Sequence, residues 1–282
     1  MVNESPDTPP RRRIRPTRRG RLTLVIGAVV VLAVAAAVLV PLLTREPTSE
    51  QPRTLVIPEG WRASQVYAAA DQALDEPAGT TEKAVATADL PLPAEAKGNP
   101  EGYLFPATYP VTSATTPKGL LRYMVDTALS RFGSDHITAG AQRNNVTVYQ
   151  TVIIAAIVQA EADTRSDMGK VARVVHNRLD RGMPLQMDST LNYAMNRSTL
   201  DTTTGDTKID SPYNSYAHKG LPPTPIGNPG EQAMVAAIGP TSGPWLYFVT
   251  VAPGDTRFTD DYAEQQRNVA EFNRNRREAA NG

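Results

Sequence analysis

The stretch from Thr147 to Ala162, TVYQTVIIAAIVQAEA, decides how the rest of the chain is read. Thr147 followed three residues later by Gln150 is a capping-box start, so the apolar run behind it becomes the body of a helix. Every residue from Val152 to Val158 is apolar, which predicts protein on most sides of that helix and a place at the centre of a domain. Ile154, Ile157, Val158 and Glu161 fall at i, i+3, i+4 and i+7, which sets a carboxyl on the aliphatic stripe.

A carboxyl on such a stripe is poorly hydrated. Poor hydration disfavours the ionised form and keeps a glutamate protonated near neutral pH, ready to donate a proton to a leaving group. Gln159 and Asp163 are each two residues away, roughly 200° around the helix, and face elsewhere. The competing reading is an ordinary helix-end glutamate paired with Arg165 at i+4.

Working outward, 282 residues leave room for one main domain plus a smaller one, with a substantial core. The formal net charge is zero, yet Arg11, Arg12, Arg13, Arg15, Arg18, Arg19 and Arg21 crowd the N-terminus. The apolar segment behind these arginines decides against nucleic acid as their partner. Leu22 to Leu43 carries no charge and only Thr23, Gly27 and Pro41 interrupt its apolar run, which as a helix reaches about 33 Å and spans a bilayer. That is longer than a signal-peptide core, so an uncleaved anchor is expected, a cleaved leader near Ala35 to Ala37 being the alternative. The arginines before the span place the N-terminus in the cytoplasm and the bulk of the protein outside the cell membrane, single-pass. There is no cysteine, which excludes thiol chemistry and disulfides.

The expected organisation is a disordered basic tail at 1–21, a transmembrane helix at 22–43, a linker at 44–53, a small unit at 54–97 and the main domain at 98–278. Within the small unit, Thr54 to Ile57 reads as a strand, Pro58 to Trp61 as a turn and Ser64 to Leu74 as a helix; Pro77 to Lys97 gives no pattern. Tyr103, Phe105 and Tyr109, broken by prolines, suit an extended edge segment whose aromatics pack. Helices are predicted over Pro117 to Phe132, over the central stretch, over Ser166 to Leu179 with a stop near Gly182, over Leu191 to Met195 and over Glu231 to Ile238. Trp245 to Val251 reads as a strand, Gly254 begins a turn, and Thr259 to about Arg276 reads as a closing helix with Tyr262, Val269 and Phe272 inward.

His136, His176 and His218 have no metal-ligand spacing, so no metal and no cofactor is expected. GxSxG, Walker and GxGxxG motifs are absent as well. An acid on a buried stripe beside amide-rich and tyrosine-rich loops suits a sugar polymer, because amides and aromatics hydrogen-bond and stack on hydroxylated rings while a protonated glutamate cleaves glycosidic bonds.

In order along the chain, IPEGW at 57–61, EGYLFPATY at 101–109, AAIVQAEA at 155–162, VARVVHNRL at 171–179, MPLQMDST at 183–190, SPYNSY at 211–216, GLPPTPIGNPG at 220–230 and YFV at 247–249 together resemble the YceG-like endolytic transglycosylases, also called MltG. The resemblance implies an α+β chain: one membrane anchor, a small LysM-like α/β subdomain at 54–97, shortened here, and a mainly helical catalytic domain with a small antiparallel sheet. It implies cleavage of nascent peptidoglycan between MurNAc and GlcNAc, leaving 1,6-anhydroMurNAc ends, with Glu161 as general acid and then base. Gln159 stands where many relatives have the first glutamate of an E-x-E motif, and Met187 and Ser189 replace a commoner threonine and proline. Gln186, Asp188, Ser189 and Thr190 are expected to line the groove, with helix capping the competing role for Asp188 or Ser189. Tyr213, Asn214 and Tyr216 are expected to hold sugar or muropeptide, with Tyr216 within reach of the acid. Pro222, Pro223, Asn228 and Gly230 are expected to shape the wall. Expected partners are peptidoglycan strands, the membrane and, as further candidates, peptidoglycan synthases. Two alternatives stand beside this reading: a lysozyme-type hydrolase using water, and a non-catalytic peptidoglycan-binding scaffold of the elongation machinery.

Overall fold

The computed structural model describes residues 53–197 and 202–281, with Ala37. The tail, the apolar run at 22–43 and nearly all of the linker lie outside these residues; among the described ones no helix is long and apolar enough to cross a membrane. Strand β1 (Arg53–Val56) pairs antiparallel with β2 (Thr108–Val111), Arg53 opposite Val111 and Val56 opposite Thr108. Between them lie α1 (Ala63–Ala73) and α2 (Thr80–Val85), the latter in the stretch that showed no pattern. The sheet begun in the small unit is therefore closed by a strand from beyond it.

The helical part follows as α3 (Pro117–Phe132), α4 (Asp135–Arg143), α5 (Val148–Glu161), α6 (Arg165–Asp180), α7 (Asp188–Ala194) and α8 (Glu231–Ile238). Hairpin β3 (Tyr247–Ala252) and β4 (Asp255–Thr259) and the long α9 (Tyr262–Asn281) complete an α+β architecture with two small antiparallel sheets.

Helix α5 is the centre. Its start is the expected capping box, with Thr147 Oγ1 accepting from Gln150 N at 3.1 Å and Gln150 Oε1 from Thr147 N at 2.9 Å. Thr151 through Val158 are all buried, and α4, α6, α7 and α8 pack around them. Each valine or isoleucine among them contributes roughly 1.5–3 kcal/mol by leaving water. The aromatics of 103–109 do pack: Tyr103 lies 6.0 Å edge-on to Phe132 and Phe105 lies 5.8 Å from the same ring.

Three expectations are corrected. Helix α7 begins at Asp188, not Leu191, so Asp188, Ser189 and Thr190 form its first turn; its N-cap is Met187, without a side-chain cap. The chain after Gly254 returns as β4 before α9 starts at Tyr262. On α9, Tyr262 and Val269 face solvent, 60% and 37% exposed, while Asn268 is the buried residue. Beside a contact of the Tyr262 ring with Tyr247, centroids 5.6 Å apart, that helix docks by polar ties: Gln265 Nε2 to Phe248 O at 3.1 Å and Asn275 Nδ2 to Val251 O at 2.9 Å.

Candidate active site

Helix α5 ends at Glu161 because Ala162 turns to extended backbone, φ −144° and ψ 131°. The side chain is half-buried and reachable from solvent. Burial raises its pKa above the ordinary value, and the nearby Asp188 carboxylate acts the same way; the Ser189 hydroxyl and backbone N–H oppose them. Ser189 N donates to Glu161 Oε1 at 3.3 Å, a long bond, and the Ser189 hydroxyl, though close, is buried without an aligned partner. Burial wins. No described ion pair joins Glu161 to Arg165, whose Nε donates instead to Gln232 Oε1 at 3.4 Å. Gln159 does face elsewhere: its Oε1 accepts from Gly230 N at 3.1 Å.

The loop that brings α7 to the acid is pinned from two sides. From α6, the buried Arg178 donates to Leu246 O at 2.6 Å, Pro184 O at 3.0 Å, Leu185 O at 2.9 Å and Gln186 Oε1 at 2.9 Å, its guanidinium over the Tyr247 ring. From the 211–217 loop, Ser215 O accepts from Gln186 N at 2.9 Å, and Ser215 Oγ accepts from Met187 N at 2.9 Å and shares a hydrogen with Thr190 Oγ1 at 2.8 Å. Gln186 takes a left-handed φ of 54° to make this bend.

Of the expected groove residues, Asp188 and Ser189 lie with Glu161, half-buried. Tyr216 reaches Asp188 rather than Glu161: its hydroxyl donates to Asp188 Oδ1 at 2.5 Å, and burial and that carboxylate push its own pKa upward, so it stays a donor. Tyr213 is half-buried against Tyr193, ring centroids 5.0 Å apart, with its hydroxyl on Thr224 Oγ1. Gln186 is exposed apart from its tie to Arg178. Thr190 and Asn214 are fully buried and turned to the protein: Thr190 Oγ1 donates to Met187 O at 2.7 Å, while Asn214 Nδ2 donates to Thr207 O and Ile209 O and its Oδ1 accepts from Tyr216 N and Ala217 N. Both brace loops and reach no open surface.

Asn228, expected in the wall, is fully buried and ties two segments together. Its Oδ1 accepts from Leu104 N at 2.7 Å and its Nδ2 donates to Trp61 O at 2.9 Å, joining the Pro58–Trp61 turn to the 101–109 segment. Gly227 is needed there, since a Cβ would sit 2.7 Å from Gly60 O. Glu161 lines neither of two cavities, about 360 Å³ beside Tyr67, Asp71 and Gly79 and about 180 Å³ beside Phe132 and Met234. Among the described residues no cluster of three metal-ligating side chains occurs.

Sequence reasoning missed Arg178, Ser215 and a second buried glutamate, Glu101. Arg178 had a signal: it follows Val171, Val174 and Val175 at i+7, as Glu161 follows Ile154.

The chain is similar to the endolytic murein transglycosylase of Bacillus subtilis (strain 168), 35% identical over 168 residues, a match covering 59% of this chain and 46% of the relative. It is 37% identical over 177 residues to the endolytic murein transglycosylase of Streptococcus pneumoniae serotype 2 (strain D39), covering 61% and 32%. Each match thus spans less than half the length of the curated relative. A crystal structure of a yceG-like protein from Listeria monocytogenes shares the fold at a TM-score of 0.68 and 28% identity, covering 77% of this chain and 76% of that one. With the YceG-like family model matching residues 33–271, the chain belongs to the YceG-like family.

Proposed function

We propose that this chain is a membrane-anchored endolytic peptidoglycan transglycosylase that cleaves the MurNAc–GlcNAc bond of nascent strands with Glu161. The observation that carries the reading is a half-buried carboxyl at the end of the buried α5, beside Asp188 and Ser189, whose pKa burial raises above the ordinary glutamate value. The relatives named endolytic murein transglycosylase support it. Protonated Glu161 gives its proton to the glycosidic oxygen as that bond breaks. The resulting carboxylate takes the proton of the muramic C6 hydroxyl as O6 closes on C1, leaving a 1,6-anhydro end with no water consumed. One carboxyl suffices because the nucleophile is already part of the substrate, which supplies the proximity advantage.

Gln186, Asp188, Ser189, Tyr213 and Tyr216 are assigned to the groove; Thr190 and Asn214 support it. A second reading has one observation in its favour: Asp188 lies near enough to perturb Glu161, as in two-carboxylate hydrolases that activate water. Mass spectrometry of digested glycan separates the two, since anhydro ends are one water lighter than hydrolysed ends. The transglycosylase reading expects the lighter ends from the full-length protein and none from Glu161→Gln. Hydrolysed ends would establish the alternative, and a Glu161→Gln protein that still restores function in cells would point to a scaffold.

The same reading takes residues 22–43 as the single span, with the N-terminus cytoplasmic, residues 54–97 as a LysM-like unit ahead of the catalytic domain, and peptidoglycan synthases as candidate partners. Because the chain lacks cysteine, labelling tests the orientation. With an impermeant maleimide on intact cells, Ser49→Cys is expected to react and Ser5→Cys to stay unlabelled; the reverse pattern overturns the orientation.

A further inference from the structure

Glu101 is only 4% exposed and lies in the segment between the small unit and the helices. Its two oxygens are divided between elements far apart in sequence. Oε1 accepts from Ala63 N, in the first turn of α1, at 2.9 Å and from Asn228 Nδ2 at 3.4 Å, and Oε2 accepts from Tyr193 Oη of α7 at 3.0 Å. Helix α7 has seven residues and no side-chain N-cap, too short to hold a position by itself, so tertiary ties set where it sits. Two of those ties run from donors on α7 to carboxyl groups of other elements: Ser189 N to Glu161 and Tyr193 Oη to Glu101. Ser189 and Tyr193 are four residues apart, one turn, on one face of the helix.

We infer that Glu101 is a positioning residue for Glu161: holding Tyr193 with one oxygen and α1 with the other, it fixes α7 so that the Ser189 amide stays against the acid. This rests on Glu161 being the acid. The contact it controls is sensitive, because the Ser189 bond at 3.3 Å is already at the long end and a small rotation of α7 breaks it. Displacements of about 1 Å in supporting structure cost enzymes up to about 10²-fold in rate.

The surroundings of Glu101 set its pH dependence. Arg62 of the α1 N-cap, Tyr67 of α1 and Tyr193 of α7 are the titratable or charged groups that interact with it, and Asn228 and the Gly102 amide complete the polar shell of its carboxyl. Burial outweighs the hydrogen bonds and Arg62, and raises the carboxyl to about 7. Above that pH both oxygens accept; below it one carries a proton and a donor loses its acceptor.

The test uses the full-length protein. Tyr193→Phe removes one hydroxyl and keeps both carboxyl groups; Glu101→Gln removes the charge at nearly constant shape. In Tyr193→Phe, loss of the Ser189 amide from Glu161 is expected to raise the Glu161 titration midpoint, followed by carboxyl 13C NMR, by roughly half a pH unit or more. In both variants kcat is expected to fall about tenfold with KM within about twofold, and the double variant to be no slower than Glu101→Gln. Loss of rate below about pH 7 is expected to flatten in Glu101→Gln. An unchanged Glu161 midpoint in Tyr193→Phe overturns the positioning role whether or not product forms. A wild-type protein that releases no glycan fragments overturns the catalytic reading alone, since the midpoint still decides the role of Glu101.

Discussion

Glu161 and Glu101 are two desolvated glutamates, one half-buried and one enclosed, with the same dominant electrostatics and opposite surroundings. Burial raises both pKa values. Glu101 is enclosed, with Ala63, Asn228 and Tyr193 donating to it, and can do nothing but hold elements together. Glu161 has one long bond from Ser189 and is only half-buried. Desolvation alone therefore does not mark a catalytic acid. What separates Glu161, the proposed acid, from Glu101 is partial exposure and a single long hydrogen bond.

The comparison breaks most visibly at Glu161. Replacing it with glutamine is expected to lower turnover by about 10²–10⁴, the usual share of a general acid, measured as fragment release from glycan strands. The same variant is expected to be more stable than the wild type above the ordinary carboxylate range, because a raised folded pKa contributes stability that is present at low pH and lost as pH rises through it. Residual turnover near wild type would remove the distinction between the two glutamates.

The platform comes next. Ile157→Ala cuts the side chain that sits fully buried one turn before Glu161, and is expected to destabilise by about 2–5 kcal/mol in urea unfolding. Glu101 is expected to appear as pH-dependent stability. Its pKa moves from 4.5 unfolded to about 7 folded, so stability is full below pH 4.5 and falls as pH rises through 7, by up to about 3 kcal/mol. Glu101→Gln is expected to flatten that part of the curve; an unchanged slope would mean that Glu101 is better hydrated than its enclosure implies. Smallest is Arg165→Ala. With no ion pair to Glu161, it is expected to change stability by less than about 0.5 kcal/mol and leave activity as it is. A larger loss would revive the ordinary ion-pair reading.

The two glutamates also differ in how far the sequence discloses them. Glu161 is legible because its environment is local: the capping box, the apolar run and the i+7 stripe all lie within one helix. Glu101 draws on partners 38, 92 and 127 residues away, and no pattern near it records them. The sequence pattern starts helix α7 too late because its entry is Met187, a residue without a capping side chain, and its first turn resembles loop. Helix α4 carries Gly140 in its body, a poor helix former; the structure needs it because a Cβ there would meet Ile238 Cβ at 2.6 Å. Strand β4 is five residues of mixed polarity, too short for alternation to register. The facing of α9 escapes an apolar pattern because amides, not aliphatics, dock it.

Following the carboxyl 13C resonance of Glu161 through a pH titration of the full-length protein measures most directly whether this side chain keeps its proton at working pH. A midpoint above the ordinary glutamate value of 4.5 is expected. A midpoint at or below that value would rule Glu161 out as the proposed general acid.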